Sequence, residues 1–123
     1  MESPKPLPRD IQPGLRLWLT LEGQGVFGGG KWQVLDAIHR TGSLRAAAES
    51  LGISYRKAWG DLRKAERALG VLLIERHRGG SAGGESTLTP AGKKWWAEYA
   101  RFQNEVEAGV ARAFERWARR MDK

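Results

Sequence analysis

The chain has no cysteine, only two histidines (His39 and His77), and no apolar run near the roughly 18 residues that a membrane span needs. The first absence excludes disulfides and thiolate zinc sites, and the second leaves too few imidazoles for a histidine metal site or an acid/base pair. Enzymatic chemistry, a bound metal and a cofactor are therefore not expected. The opening MESPKPLPRD lacks the apolar stretch of a signal peptide, so the expected location is the cytoplasm, without a membrane partner. Carboxylates are also scarce: 14 Asp and Glu stand against 21 Lys and Arg, a net charge of +7 in 123 residues. That excess favours a polyanionic partner, and double-stranded DNA of the nucleoid is the first expectation. The length fits one domain.

Glycine, by contrast, is abundant, with 16 residues. GQGVFGGGKW, residues 23–32, contains G-x-G-x-x-G (Gly23, Gly25, Gly28) and G-x-x-x-x-G-K (Gly25, Gly30, Lys31), two overlapping phosphate-binding fingerprints. Context argues against both. A dinucleotide fold requires a second parallel strand after the first helix, yet the next segment is SLRAAAES, with helical spacing and no strand until about residue 71. A P-loop places Ser or Thr after its lysine to hold Mg²⁺, and here that residue is Trp32. Gly23 to Gly30 then reads as a flexible turn, and a nucleotide-dependent enzyme is set aside.

Elsewhere the order of elements is informative. Residues 1–14 hold four of the five prolines and read as an extended, poorly ordered arm. Leu15, Leu17, Leu19 and Leu21 alternate with polar residues and Trp18, which predicts a half-buried strand over 15–22. Val34, Leu35 and Ile38 mark a first helix that ends at Thr41-Gly42. Ser43 caps a short second helix, Gly52-Ile53 makes a tight turn, and Ser54 caps a third helix that Gly70 stops. Val71 to Glu75 and Ser86 to Thr89 predict a hairpin around a glycine-rich loop, and Pro90 opens a helix that runs to about Met121.

Helix, helix, tight turn, helix and hairpin is the order of a winged helix-turn-helix, a mainly α fold. The expected organisation is an arm over 1–14, a DNA-binding unit over 15–89 and a long dimerisation helix over 90–123. Ala48 and Ala58 are small where the second and third helices must cross. Candidate DNA contacts are Ser43 and Arg45 on the second helix, and Ser54, Tyr55, Arg56, Lys57, Trp59, Arg63 and Lys64 on the third. The hairpin adds Arg76, Arg78, Gly79, Gly80 and Ser81. Arginine can read guanine edges and lysine can hold phosphates, although the same charges would also solvate an ordinary helix face. Trp59 has two readings, outward towards DNA or inward against the second helix.

GSLRAAAESLGISYRKAW, followed by LIERHRGGSAGGESTLTPAG, resembles the DNA-binding domain of ModE-type molybdate-responsive regulators, itself related to the LysR-type helix-turn-helix. The pieces that carry the resemblance are Gly42-Ser43, Ala47-Ala48, Ser54-Tyr55-Arg56 with Ala58-Trp59, the glycine pairs at 79–80 and 83–84, and Leu88-Thr89 with Gly92. It implies a sequence-specific transcription regulator that binds inverted-repeat operators as a dimer. Members of that family continue into small β-barrels that bind molybdate, and this sequence stops at Lys123 without one. Several readings follow: a DNA-binding subunit whose ligand module is a separate molybdate-binding protein, a regulator that answers to another effector, a constitutive one, or a truncated piece of a longer chain.

The last predicted helix is about 32 residues, or roughly 48 Å, longer than the three short helices can cover. Trp95, Tyr99, Phe102, Val106, Val110, Ala113, Trp117 and Met121 recur at steps of three and four. Trp95 and Trp96 can fold back on their own domain, but the rest needs a partner. Homodimerisation through Tyr99, Phe102, Val106, Val110, Ala113 and Trp117 is expected. The alternative function is a nucleoid-type architectural protein with little sequence preference.

Overall fold

The computed structural model describes residues 5–77 and 84–123. Among them the local signals become β1 (Trp18–Leu21), β2 (Gln24–Gly28), α1 (Gly29–Thr41), α2 (Leu44–Leu51), α3 (Tyr55–Leu69), β3 (Ile74–His77), β4 (Glu85–Leu88) and α4 (Pro90–Met121). Ser43, Ser54 and Thr89 stand just ahead of α2, α3 and α4. Their side-chain oxygens accept N–H bonds from Ala46, Lys57 and Gly92 at 2.9, 3.0 and 2.9 Å. Each cap satisfies a donor that has no carbonyl four residues behind it. α2 stops at Gly52, φ +69°, where the N–H groups of Gly52 and Ile53 turn back onto the carbonyls of Glu49 and Ala48. A side chain at that angle would be strained, so glycine allows the abrupt passage from α2 into α3.

Val34, Leu35 and Ile38 of α1, Leu44 and Ala47 of α2 and Leu62 of α3 meet in one core. Ala48 and Ala58 are buried as well, and their methyl groups let the helices pack closely. Leu73 and Leu88 close the core from the base of a second hairpin, in which β3 and β4 run antiparallel with Arg76 opposite Ser86. β3 starts later than the apolar run suggested, because Val71 and Leu72 are exposed lead-in residues. Thr89 caps α4 instead of ending β4.

The glycine stretch, expected as a flexible turn, is largely a strand. β2 pairs antiparallel with β1, Leu19 opposite Phe27, around a two-residue turn at Glu22 and Gly23, both at positive φ. Val26 and Phe27 are buried. Two apolar residues flanked by glycines give no period-2 signal, which is why the strand is hidden in the sequence. β1 is also shorter than the leucine alternation suggested. Only Leu17 and Leu19 pack on the core, while Leu15, ahead of the strand, and Leu21, next to the turn, are exposed.

The start of α4 belongs to the same core. Phe27 lies 5.0 Å from the ring of Trp95 and 5.1 Å, edge-on, from that of Tyr99. The Trp96 indole donates to Asp36 Oδ1 at 3.0 Å, and the Trp32 indole donates to the Trp96 carbonyl at 2.8 Å. Tyr99 donates to the Leu17 carbonyl at 2.9 Å, and burial pushes its hydroxyl above the ordinary tyrosine range, keeping it a neutral donor. Tyr99, expected in the dimer seam, is therefore a core residue, 5% exposed: the β1–β2 hairpin supplies the aromatic pocket that takes it.

The arm, expected to be poorly ordered, is tied to α4 among its described residues. The Leu7 N–H donates to Asp122 at the far end of α4, 3.1 Å, and Leu17, just beyond the arm, accepts from Tyr99. The segment between them is not extended throughout: it turns at Arg9 and Asp10, where the Ile11 N–H donates to the Pro8 carbonyl at 3.2 Å.

α4 meets the body at very close range. A Cβ built on Gly92 would lie 2.0 Å from the Leu73 carbonyl oxygen, a backbone atom that cannot swing aside. Gly92→Ala should therefore destabilise the fold by ~3 kcal/mol, whereas Gly109→Ala, whose new carbon would only touch the end of the Arg112 side chain at 4.0 Å, should be neutral or stabilising by up to ~1 kcal/mol. Thermal melts followed by circular dichroism check this, and equal melting of the two variants would contradict the close contact.

Candidate nucleic-acid interface

The turn at Gly52 fixes which side of α3 is free. Its Ala58, Leu62 and Ala65 side enters the core, so the opposite side, with Arg56, Lys57, Trp59, Arg63 and Lys64, faces outward. Trp59 is 37% exposed, which decides between its two readings in favour of the outer face. Ser43 and Ser54 act as helix caps, so an oxygen of each is already engaged, although each hydroxyl proton is still free to point outward.

Three elements converge on the N-terminal half of this face. Tyr55, half-buried, packs one edge on the core. The Arg45 guanidinium of α2 lies over its ring at 5.0 Å, and that of Arg76 from β3 lies over the same ring at 5.6 Å. Arg76 also donates to the Tyr55 hydroxyl. Trp59 carries Arg63 at 5.1 Å and Arg76 at 5.7 Å. Guanidinium groups over π faces gain electrostatic attraction while their N–H edges stay free for other acceptors.

Two of the basic residues are paired with carboxylates. Lys57 meets Asp61 at 3.1 Å and Arg63 meets the buried Glu66 at 3.6 Å. Lys57 and Asp61 are both solvent-accessible, so that pair is weak and readily exchanged, whereas Arg63 answers a carboxylate that is itself buried. Among the described residues, Arg45, Arg56, Lys64 and Arg76 have no carboxylate partner. The face thus gathers uncompensated cations and aromatic edges, the chemistry of phosphate and base contact. Arg78, Gly79, Gly80 and Ser81 lie outside the described residues.

Two contributors escaped the sequence reading. Glu66 is 6% exposed, and its carboxylate accepts the N–H groups of Leu73 and Ile74 at 2.8 and 3.4 Å, fastening the wing to the end of α3. An acidic residue in a basic helix carries no sequence mark of burial. Gly60 sits inside α3 with no atom of the described residues in Cβ range, so no contact among them accounts for a residue that costs the helix ~1 kcal/mol. It lies four residues from both Arg56 and Lys64, on the outward row, where a missing side chain lowers the surface. A glycine inside a helical pattern is the signal that could have found it.

At the other end of the molecule, Phe102, Trp117 and Met121 of α4 are 40%, 37% and 47% exposed, and Val106 and Val110 are half-buried. Ala113 is exposed. These side chains make an apolar strip along α4, and Ile11 and Leu15, ahead of β1, are exposed as well.

Comparison with known proteins adds the following. Residues 30–93 match the family described as bacterial regulatory helix-turn-helix protein, lysR family. The chain is similar to the molybdenum-pterin-binding protein MopB of Rhodobacter capsulatus, 40% identical over 95 residues, covering 76% of this chain and 34% of that protein. It is similar to the molybdenum transport protein ModE of Herbaspirillum seropedicae, 41% identical over 70 residues, covering 57% and 26%. The chain thus spans about a third or less of the curated relatives it matches. Its fold is similar to that in the crystal structure of a CbnR_DBD–DNA complex, with TM-score 0.56 and 24% identity over 70% of this chain and 93% of that one.

The Gly60 position gives a measurement independent of any ligand. Gly60→Ala should stabilise the chain by about 0.5–1 kcal/mol, seen as a melting point several degrees higher. A lower melting point would mean that an internal contact requires the glycine.

Proposed function

This chain belongs to the lysR family of bacterial regulatory helix-turn-helix proteins, and we propose that it is a transcription regulator that reads specific operator DNA through α3. The carrying observation is that cations from three separate elements, Arg45 of α2, Arg63 of α3 and Arg76 of β3, gather on the two aromatic rings of the outer face of α3. A helix presented in this way enters the major groove with its first turns at the base edges, while the wing follows the backbone or the minor groove. Arg56, on the first turn and without a partner, is placed for base contact. Lys64, two turns on, is placed for phosphate. Gly60 between them lets the helix approach closely.

The protein acts as a homodimer. Phe102, Val106, Val110, Ala113 and Trp117 form the contact, and the exposed apolar strip along α4 supports it. A two-fold axis through paired α4 helices puts two recognition helices on one side of a duplex, which calls for inverted half-sites. It works in the cytoplasm on the nucleoid. The printed names of MopB and ModE tie those relatives to molybdenum.

Selection from a random duplex library, followed by footprinting, tests the reading. A few inverted-repeat sites are expected, and diffuse protection would favour an architectural DNA-binding protein instead. On the selected site, Arg56→Ala should cost roughly 1–3 kcal/mol and relax preference at one base position. Lys64→Ala should weaken all duplexes alike and lower the salt slope by about one. Unchanged affinity and preference for Arg56→Ala would sink the recognition-helix assignment.

Val110→Glu with Trp117→Glu should cost ~3–5 kcal/mol in self-association by placing unpaired carboxylates between two chains. Sedimentation at micromolar concentration reads this directly. An unchanged mass for the double variant, or a monomeric parent chain, speaks against the α4 interface.

A further inference from the structure

A two-stranded hairpin is marginal in isolation, and the β3–β4 wing is tied to the body at its base and, through β4, at one point further out. At the base Leu73 and Ile74 bond to Glu66; further out the Ser86 N–H, opposite Arg76, donates to the Gly42 carbonyl at 2.9 Å. Glu75, Arg76 and His77, further out, are exposed. One side chain of this outer part reaches back. Arg76 bonds the Tyr55 hydroxyl and lies over the rings of both Tyr55 and Trp59. Tyr55 is the first residue of α3, is anchored by its buried edge, and also carries Arg45.

Resting on the DNA reading above, we propose that Tyr55 is a positioning residue that couples the wing to the recognition helix. Its ring and hydroxyl hold the Arg76 guanidinium beside the first turn of α3, so that wing and helix meet the duplex in one register. With its hydroxyl on Arg76 and its ring beneath two cations, Tyr55 leaves base reading to Arg56 and Trp59. Arg45 and Arg76 share this ring without a carboxylate between them, an arrangement that mutual repulsion disfavours and a phosphate backbone relieves.

A double-mutant cycle on the full chain tests the coupling, using the duplex recovered by selection and a mixed-sequence duplex of equal length at several salt concentrations. Tyr55→Ala and Arg76→Ala should each weaken binding about tenfold. Together they should lose no more than about threefold beyond either alone, and all three variants should lower the salt slope by the same amount, about one. Tyr55→Phe keeps the ring under both guanidinium groups, so it should lose less than Tyr55→Ala and leave the salt slope nearly intact. If Tyr55→Ala melts early, Tyr55→Phe with Arg76→Ala runs the same cycle for the hydroxyl alone. Losses that multiply to about 100-fold, or a salt slope unmoved by Tyr55→Ala, overturn the coupling. A parent chain that binds no duplex removes the DNA reading and this proposal together, whereas additive losses on a chain that binds remove the proposal alone.

Discussion

The backbone of Leu73 holds three parts of this molecule together. Its side chain is fully buried, and so its N–H and C=O must find partners inside the protein. The N–H goes to the Glu66 carboxylate at the end of α3, and the C=O accepts from the Thr89 N–H at 3.0 Å, where α4 begins. Thr89 also donates its hydroxyl to the Leu72 carbonyl at 2.6 Å while capping Gly92. Recognition helix, wing and long helix are thus joined through a few buried polar bonds, each made in a place where water cannot replace it. The contact at Gly92 leaves no room for even one extra carbon.

With that joint in place, the two ends of the chain can do different things. The N-terminal part of α3 and the outer half of β3 project cations over aromatic rings, and the Lys57–Asp61 pair near them is solvent-accessible and weak. A polyanion entering this face therefore loses little by displacing it. The distal half of α4 instead leaves apolar side chains uncovered, and the arm is bonded to the end of the helix through Leu7 and Asp122. Separation of a charged reading face from an apolar strip allows two chains to pair without blocking what either reads.

The wing adds a geometric constraint. A flexible hairpin would contribute charge but little register. Arg76, held against α3 and opposite Ser86, whose own N–H is tied to the end of α1, brings the hairpin into a defined relation with the helix. Register across separate elements is a tertiary property, since the residues involved are 21 apart in the chain for Tyr55 and Arg76.

The sequence by itself determined the helices and the turn between the second and third. Ser43 and Ser54 before apolar periodicity, glycine after it, and Pro90 at the start of the last helix are local signals that act through neighbouring backbone groups. The basic outer face of α3 follows from the same periodicity, because once Ala58 and Leu62 turn inward the arginines opposite them cannot. Only the tertiary structure decided the rest. β2 exists because Phe27 finds Trp95 and Tyr99, some 70 residues later in the chain. Tyr99 left the predicted seam because that aromatic pocket pairs its hydroxyl with Leu17, and the arm is held because Asp122 lies within reach of Leu7. Glu66 is structural, and Tyr55 carries two arginines, for the same reason: their partners lie on other elements, and no local pattern records a contact that forms only when distant segments are packed together.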